Sequence, residues 1–280
     1  MHLGHIEVRF LRGGEFRLDG GAMFGVVPRV LWQKKAPPDD RNRIRLACNS
    51  LLLRTSGHNV LVETGNGTKW DAKLRDMYAI DLGDPLGDAL AREGLQPHEI
   101  SMVINTHLHF DHAGGNTCFR DGRAVPAFPK ARYVLQQGEL EHAERPTERD
   151  RASYFPENFV PVTQAGHWQL LAGDTEIIPG VSVIRIPGHN RDIQCVKISG
   201  GGKTICFIAD LFPTRHHLSL PWIMAYDLYP VETLETKRKW LADIISNRWI
   251  VVFGHDPDVP AAVLAQGDGK IEYEPVDLNG

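Results

Sequence analysis

The sequence predicts an α+β fold in which two β-sheets pack face to face and helices lie outside them. Three observations lead there: strand-like apolar runs alternate with helical patterns, no linker or low-complexity tract divides the 280 residues, and four apolar runs stop at a metal-ligand type of residue. Those runs are 101–105, entering Thr106-His107; 181–186, entering Pro187-Gly188-His189; 204–209, meeting Asp210; and 249–253, entering Gly254-His255. A strand end holds a side chain rigidly while leaving it open to solvent, so the pattern marks these ends as the place of function.

In chain order, 44–54 and 60–63 read as paired strands around the turn 55–59. Residues 86–93 read as a helix closed by Gly94. The run 101–105 is a short buried strand, and Ala113-Gly114-Gly115-Asn116 reads as a loop turning into a helix. Pro156 and Pro161 interrupt regular structure across 146–164, a loop-rich stretch expected to wall the site. A last helix is predicted over 232–246, with Leu234, Leu241, Ile244 and Ile245 on its buried stripe and Glu235, Lys239 and Asp243 facing away.

The densest chemistry lies in Thr106-His107-Leu108-His109-Phe110-Asp111-His112, three imidazoles and a carboxylate in one turn. Clustered in this way, these side chains read as metal ligands. If the segment is extended, His107, His109 and Asp111 share a face and His112 points elsewhere, so one segment can serve two ions. With His189, Asp210 and His255 there are seven candidate ligands, too many for one ion, because a structural zinc takes four protein ligands and a catalytic one about three. Two divalent metals sharing Asp210 fit the count. An imidazole and carboxylate donor set without thiolate favours Zn and leaves Mn, Fe and Co open.

His-x-His-x-Asp-His followed by His189, Asp210 and His255 in this order resembles the signature of the metallo-β-lactamase-fold hydrolases, over the chain from about Leu46 to His255. Within that superfamily, Thr106 through Gly115 and Phe253-Gly254-His255-Asp256 look most like the quorum-quenching N-acyl-homoserine lactonases. Leu18-Asp19-Gly20-Gly21-Ala22-Met23-Phe24-Gly25-Val26-Val27-Pro28 and Met224-Ala225-Tyr226-Asp227 resemble a lactonase branch near the methyl-parathion-type phosphotriesterases. The resemblance implies an αββα sandwich of two mixed β-sheets. It also implies His107, His109 and His189 on one metal, Asp111, His112 and His255 on the other, and Asp210 bridging. A hydroxide between the metals would open a lactone ring, with Asp111 orienting it and passing a proton to the leaving oxygen. Three departures stand out: Glu63-Thr64-Gly65 replaces the usual Asp-Thr-Gly, Asn190-Arg191-Asp192-Ile193 follows His189 where a second histidine is common, and Leu211-Phe212-Pro213 follows Asp210 where some lactonases carry a tyrosine.

The alternative activity is phosphotriester hydrolysis on the same metal centre. Thioester hydrolases of the superfamily carry a helical C-terminal domain, whereas only a short tail follows His255 here. An inert metal-binding protein is the remaining class. The expected partner is a small lactone or ester, and Met23, Phe24, Val26, Phe212, Trp222, Ile223, Met224 and Tyr226 either line its apolar mouth or belong to the core. Tyr226 is the candidate phenolic donor to substrate. His216 and His217 either support the site, contact substrate or form a surface pair, and His167-Trp168 belongs to packing.

A net charge of −4 gives no basic field for nucleic acid, and 42% hydrophobic content suffices for one large core. One domain over 1–280 is expected, with 1–43 as an N-terminal extension toward the substrate pocket or a homodimer contact. No export signal and no membrane-span-length apolar stretch is present, so a cytoplasmic protein that binds no membrane is expected. Cys48, Cys118, Cys195 and Cys206 form no redox pair and read as reduced thiols.

Overall fold

Apolar runs without alternation suit strands covered on both faces, and they form the centre of each sheet. In the computed structural model, which describes residues 1–55, 57–81 and 83–280, the strands in chain order are β1 (His2–Leu3), β2 (Ile6–Asp19), β3 (Arg43–Thr55), β4 (His58–Val62) and β5 (Met102–Ile104). They continue as β6 (Thr117–Arg120), β7 (Arg123–Pro126), β8 (Arg132–Gln136), β9 (Trp168–Leu171), β10 (Thr175–Ile178), β11 (Val181–Arg185) and β12 (Gln194–Gly200). The last are β13 (Lys203–Phe207), β14 (Ile250–Val252), β15 (Ala261–Gln266) and β16 (Ile271–Pro275). One sheet runs β1-β2-β3-β4-β5-β8-β9, the other runs β10 through β16 in order, and β6 and β7 form a separate hairpin.

Both sheets are mixed: β4, β5, β8 and β9 are parallel neighbours, as are β13 and β14, and the other pairs are antiparallel. Leu51, Leu53, Val60, Val62 and Ile104 of the first sheet meet Val183, Val196, Ile198, Ile205 and Phe207 of the second in one buried cluster. Leu52, Leu61 and Val103, alternating with them, point to the opposite face, where Leu86, Ala89 and Leu90 of the helix Pro85–Arg92 cover them. The expected α+β sandwich with outer helices is therefore the fold.

The helix Pro85–Arg92 ends as expected at Gly94, which holds φ 74° and donates to the Ala91 carbonyl at 3.0 Å. The strands expected at 44–54 and 60–63 are β3 and β4, and Ser56 of the expected turn lies outside the described residues. The expected order at 113–116 is reversed: the helical turn is Phe110–Ala113, and Gly114–Asn116 is a tight 3-10 turn leading into strand β6. Close approach explains those glycines, since a Cβ on Gly114 would overlap the Asn66 backbone and one on Gly115 the Thr64 carbonyl.

The last helix spans Pro230–Asn247 and buries Thr233, Lys237, Trp240, Leu241 and Ile244. Leu234 and Ile245, expected on the stripe, are only half-buried at its edge, while Glu235, Lys239 and Asp243 are exposed as expected. Lys237 displaces the stripe because its ammonium donates to the Ser219 and Trp222 carbonyls at 2.7 and 2.8 Å, drawing the aliphatic stem inward. At the chain start, β2 pairs with β3 from Glu7 to Asp19, and Phe16, Met23, Phe24 and Trp32 pack with Ile44 and Leu46. The four cysteines are free, three of them buried, and no helix among the described residues is long and apolar enough to cross a membrane.

Candidate metal centre

Strand β5 releases the ligand-rich segment into a frame of buried carboxylates. Glu63 accepts from the Thr106 amide at 2.6 Å, and Glu139 accepts from the Leu108 amide at 2.8 Å. Extended backbone ends at His109 (φ −60°, ψ 154°), and the helical turn Phe110–Ala113 then carries Asp111 and His112. The expected shared face therefore holds for His107 and His109 but not for Asp111, which the turn swings to the side of His112. Thr64 secures that turn, donating to the His112 carbonyl from its amide at 2.9 Å and from its hydroxyl at 3.0 Å.

The other candidates arrive where the sequence puts them, just beyond β11, β13 and β14. Asp210 follows Ala209, which holds left-handed backbone (φ 49°), and Glu63 on the opposite sheet does the same (φ 64°). Non-glycine residues rarely adopt this conformation, and such strain collects at functional sites.

All seven candidates are buried and fall into three overlapping groups: His107, His109 and His189; His107, His112 and Asp210; and Asp111, His112 and His255. Within each group the donor atoms lie within 4.8 Å of one another. His189 Nε2 faces His109 Nδ1 at 3.1 Å, and His255 Nε2 faces His112 Nε2 at 2.9 Å. Asp210 stands between them, Oδ2 at 3.4 Å from His189 Nε2 and Oδ1 at 3.1 Å from His255 Nε2 and 3.4 Å from His112 Nε2.

Three rings have their remaining nitrogen engaged from behind, and a fourth has a carboxylate nearby. Nδ1 of His107 meets the Thr106 hydroxyl at 3.0 Å, Nδ1 of His189 meets Asp227 Oδ1 at 2.8 Å, and Nδ1 of His255 meets the Ala47 carbonyl at 2.8 Å. His112 Nδ1 lies 3.5 Å from Glu63 Oε2. Each ring is thereby turned with its free nitrogen toward the cluster, as metal-binding histidines are.

The electrostatics suit a cation. Burial, then the charge of neighbouring imidazoles, holds His107 and His109 well below the ordinary histidine range, so these rings are neutral. Burial pulls His112, His189 and His255 the same way, but the negative charge of Asp210 and further carboxylates outweighs it and lifts all three. His107 Nε2 and His109 Nε2 are buried without a hydrogen-bond partner among the described residues, an expensive state for polar atoms that a divalent metal would relieve. The donor set, convergence and orphaned atoms all fit such a metal.

A cleft of about 150 Å³, open to solvent on one side, leads onto His109, Asp111, His189, Asp210 and His255. Leu18, Met23, Phe110 and Met224 give it apolar walls, Tyr78 and Tyr226 add phenols, and Arg149, Ala152 and Ser153 close one side from the expected wall at 146–164. Of the residues read as mouth or core, Met23, Met224 and Tyr226 line the cleft. Phe24 and Phe212 are core, Trp222 and Ile223 are half-buried, and Val26 is exposed.

His217 is no surface residue: it is buried, engages the Thr214 hydroxyl and Met23 carbonyl at 2.8 Å each, and stacks on Phe24. His216 is half-buried, and Trp168 packs against Tyr133.

Sequence reasoning missed Asp227, Glu139, Tyr154 and Tyr78. Asp227 had a signal, since it closes the Met224-Ala225-Tyr226-Asp227 segment, whereas Glu139 sits in a polar helix that reads as solvated. Tyr154 packs edge-on to the His109 ring at 4.6 Å and donates to Glu139 at 3.1 Å, contacts that only the tertiary fold creates.

Residues 43–255 match the family model described as the metallo-beta-lactamase superfamily. The chain belongs to the metallo-beta-lactamase superfamily. Among curated relatives, an N-acyl homoserine lactonase from a Bacillus species is 30% identical over 221 residues, covering 73% of this chain and 79% of that protein. A probable metal-dependent hydrolase from Staphylococcus aureus superposes with a TM-score of 0.90 at 30% identity, covering 99% of both chains. The dizinc quorum-quenching lactonase AidC, solved with its product N-hexanoyl-L-homoserine, shares the fold with a TM-score of 0.82 at 18% identity over 99% of this chain and 96% of that one. This chain is an enzyme of the same broad kind, a metal-dependent hydrolase.

Proposed function

We propose that this enzyme opens the ring of N-acyl-homoserine lactones or closely similar lactones at a centre of two divalent metals, zinc first among them. The observation that carries the two-metal reading is Asp210, whose two carboxylate oxygens face different imidazole groups, Oδ2 toward His189 and Oδ1 toward His112 and His255. We assign His107, His109 and His189 to one ion, Asp111, His112 and His255 to the other, and Asp210 to both. The lactone preference is supported by the curated lactonase relatives and by apolar cleft walls that suit an acyl chain.

The ions supply Lewis acidity toward the carbonyl and acidify water, so no serine or cysteine nucleophile is required. The chain's own groups position and move the proton. Water adds to the lactone carbonyl carbon, the ring C–O bond breaks, and the leaving oxygen takes up a proton. Asp111 is assigned that transfer because it alone among the candidate ligands of the motif turn combines a carboxylate with a place on the cleft wall. Tyr226 is assigned as a phenolic donor to substrate. Burial, then the charge of Asp19, pushes its phenol well above the ordinary tyrosine range, so it remains protonated at neutral pH. Residues 1–43 contribute to the pocket through Leu18 and Met23.

The test compares initial rates on N-hexanoyl-homoserine lactone and an aryl phosphotriester, with metal content measured on the same preparation. Lactone opening with two metals per chain is expected. Strong phosphotriester turnover without lactone opening would replace this reading with the alternative one.

A further inference from the structure

One group in the cleft has no task in this scheme. Tyr78 ends the helix Ala72–Tyr78, which Asp71 caps by accepting from the Leu74 amide at 2.8 Å. Ala79 follows in left-handed backbone (φ 50°) with its amide turned back to the Arg75 and Asp76 carbonyls, so the position of Tyr78 is fixed from both sides. Its ring stacks on Phe110, with centroids 4.8 Å apart and planes at 27°, and meets Trp70 edge-on at 5.9 Å. Phe110 lies between His109 and Asp111 in the chain, so the Tyr78 ring is built directly onto the ligand-bearing turn.

The ring contacts require only a benzene ring; phenylalanine would make every one of them. The hydroxyl is different: Tyr78 is half-buried and lines the cleft shared with Asp111 and Asp210, and its hydroxyl forms no hydrogen bond with a described residue. A phenol on a cleft wall with no protein partner is left free to donate to a molecule that occupies the cleft. Burial, then the negative charge of Asp111, raises its pKa, so at neutral pH the group is a donor. The complementary chemistry is a carbonyl oxygen, and an acyl-homoserine lactone offers two, on the ring and on the side-chain amide.

We infer that Tyr78 is a substrate-binding residue whose hydroxyl donates a hydrogen bond to a carbonyl oxygen of the lactone held in the cleft. The inference rests on the lactonase reading above.

Its test uses the metal-loaded full chain and Tyr78→Phe, with kcat and KM measured on N-hexanoyl-homoserine lactone and on unsubstituted γ-butyrolactone. Calorimetric binding of the ring-opened product N-hexanoyl-homoserine adds a readout independent of turnover. Loss of one hydrogen bond made equally in ground and transition states should raise KM roughly tenfold and leave kcat nearly unchanged. Metal content and melting temperature should not move.

A raised KM on both lactones identifies the ring carbonyl as acceptor. A raised KM on the substituted lactone alone, with weakened product binding, identifies the amide. Unchanged KM on both and unchanged product affinity, with the parent enzyme active, overturns the role of Tyr78 while leaving the lactonase reading intact. A parent enzyme that neither opens these lactones nor binds the product removes the lactonase reading, and the Tyr78 inference falls with it.

Discussion

The two sheets furnish the centre in opposite ways. The first sheet delivers His107, His109, Asp111 and His112 from a single turn beyond the three-residue strand β5, whereas the second delivers His189, Asp210 and His255 one at a time beyond β11, β13 and β14. In the turn, backbone anchoring is added to ring contacts, with Glu63, Glu139 and Thr64 holding two amides and a carbonyl while the Thr106 hydroxyl meets His107. At the dispersed ends, individual side chains are aimed, His189 by Asp227 and His255 by the Ala47 carbonyl. A local motif thus depends on its frame as a unit, while a dispersed ligand depends on its own single support.

The largest expected effect breaks both arrangements together. Asp210→Asn, or His109→Ala in the turn, should lower turnover by at least about 100-fold, the upper range even for residues one shell out, while the fold persists. Near-parental turnover with one metal per chain would refute the two-metal centre.

A more selective effect is expected at the dispersed side. Asp227→Ala frees the His189 ring and should weaken retention of one ion by about 10–100-fold. Metal content after dialysis against a chelator should fall toward one per chain before it falls to none. Simultaneous loss of both ions would show that the two sides are not independently supported.

The smallest effect concerns pH and the join between the sheets. His217 follows Asp210 on the second-sheet side and holds the Met23 carbonyl of the N-terminal segment; burial pushes its pKa down to about 3. An unfolded histidine takes up its proton near pH 6.5. Between about pH 6.5 and 3 the unfolded chain therefore binds more protons at this residue than the folded one, and stability falls as the solution is acidified. Urea unfolding from pH 7 to 4 should show a steeper decline for the parent than for His217→Gln. Parallel slopes would remove His217 from the acid response.

How much of this was legible follows the same division. The seven candidate ligands could be named because each is a chemically distinctive residue in or just beyond the end of an apolar run; the alternating elements suited two packed sheets, and the αββα order came with the family resemblance. Alternation alone gave half of their grouping, His107 beside His109, and the family resemblance supplied Asp111 beside His112; the helical turn that places Asp111 there arises where Gly114 and Gly115 press against Asn66 and Thr64, contacts distant in sequence. Asp227 and Glu139 escaped for a related reason. A carboxylate that supports a ligand carries no spacing rule of its own, and Lys237, a charged residue on a buried helix face, ran directly against hydrophobic patterning.

That buried lysine has a consequence for redesign. Lys237 pins Ser219 and Trp222, and the segment just beyond supplies Met224 and Tyr226 to the cleft and Asp227 to His189. The shape of the cleft and the aim of His189 are therefore inherited together along this segment, and reshaping it for a bulkier ligand puts that histidine's orientation at risk. Ala152 and Ser153 border the same cleft without orienting any candidate ligand, whereas Arg149 donates to the Ala225 carbonyl at 2.6 Å and so belongs to the coupled segment.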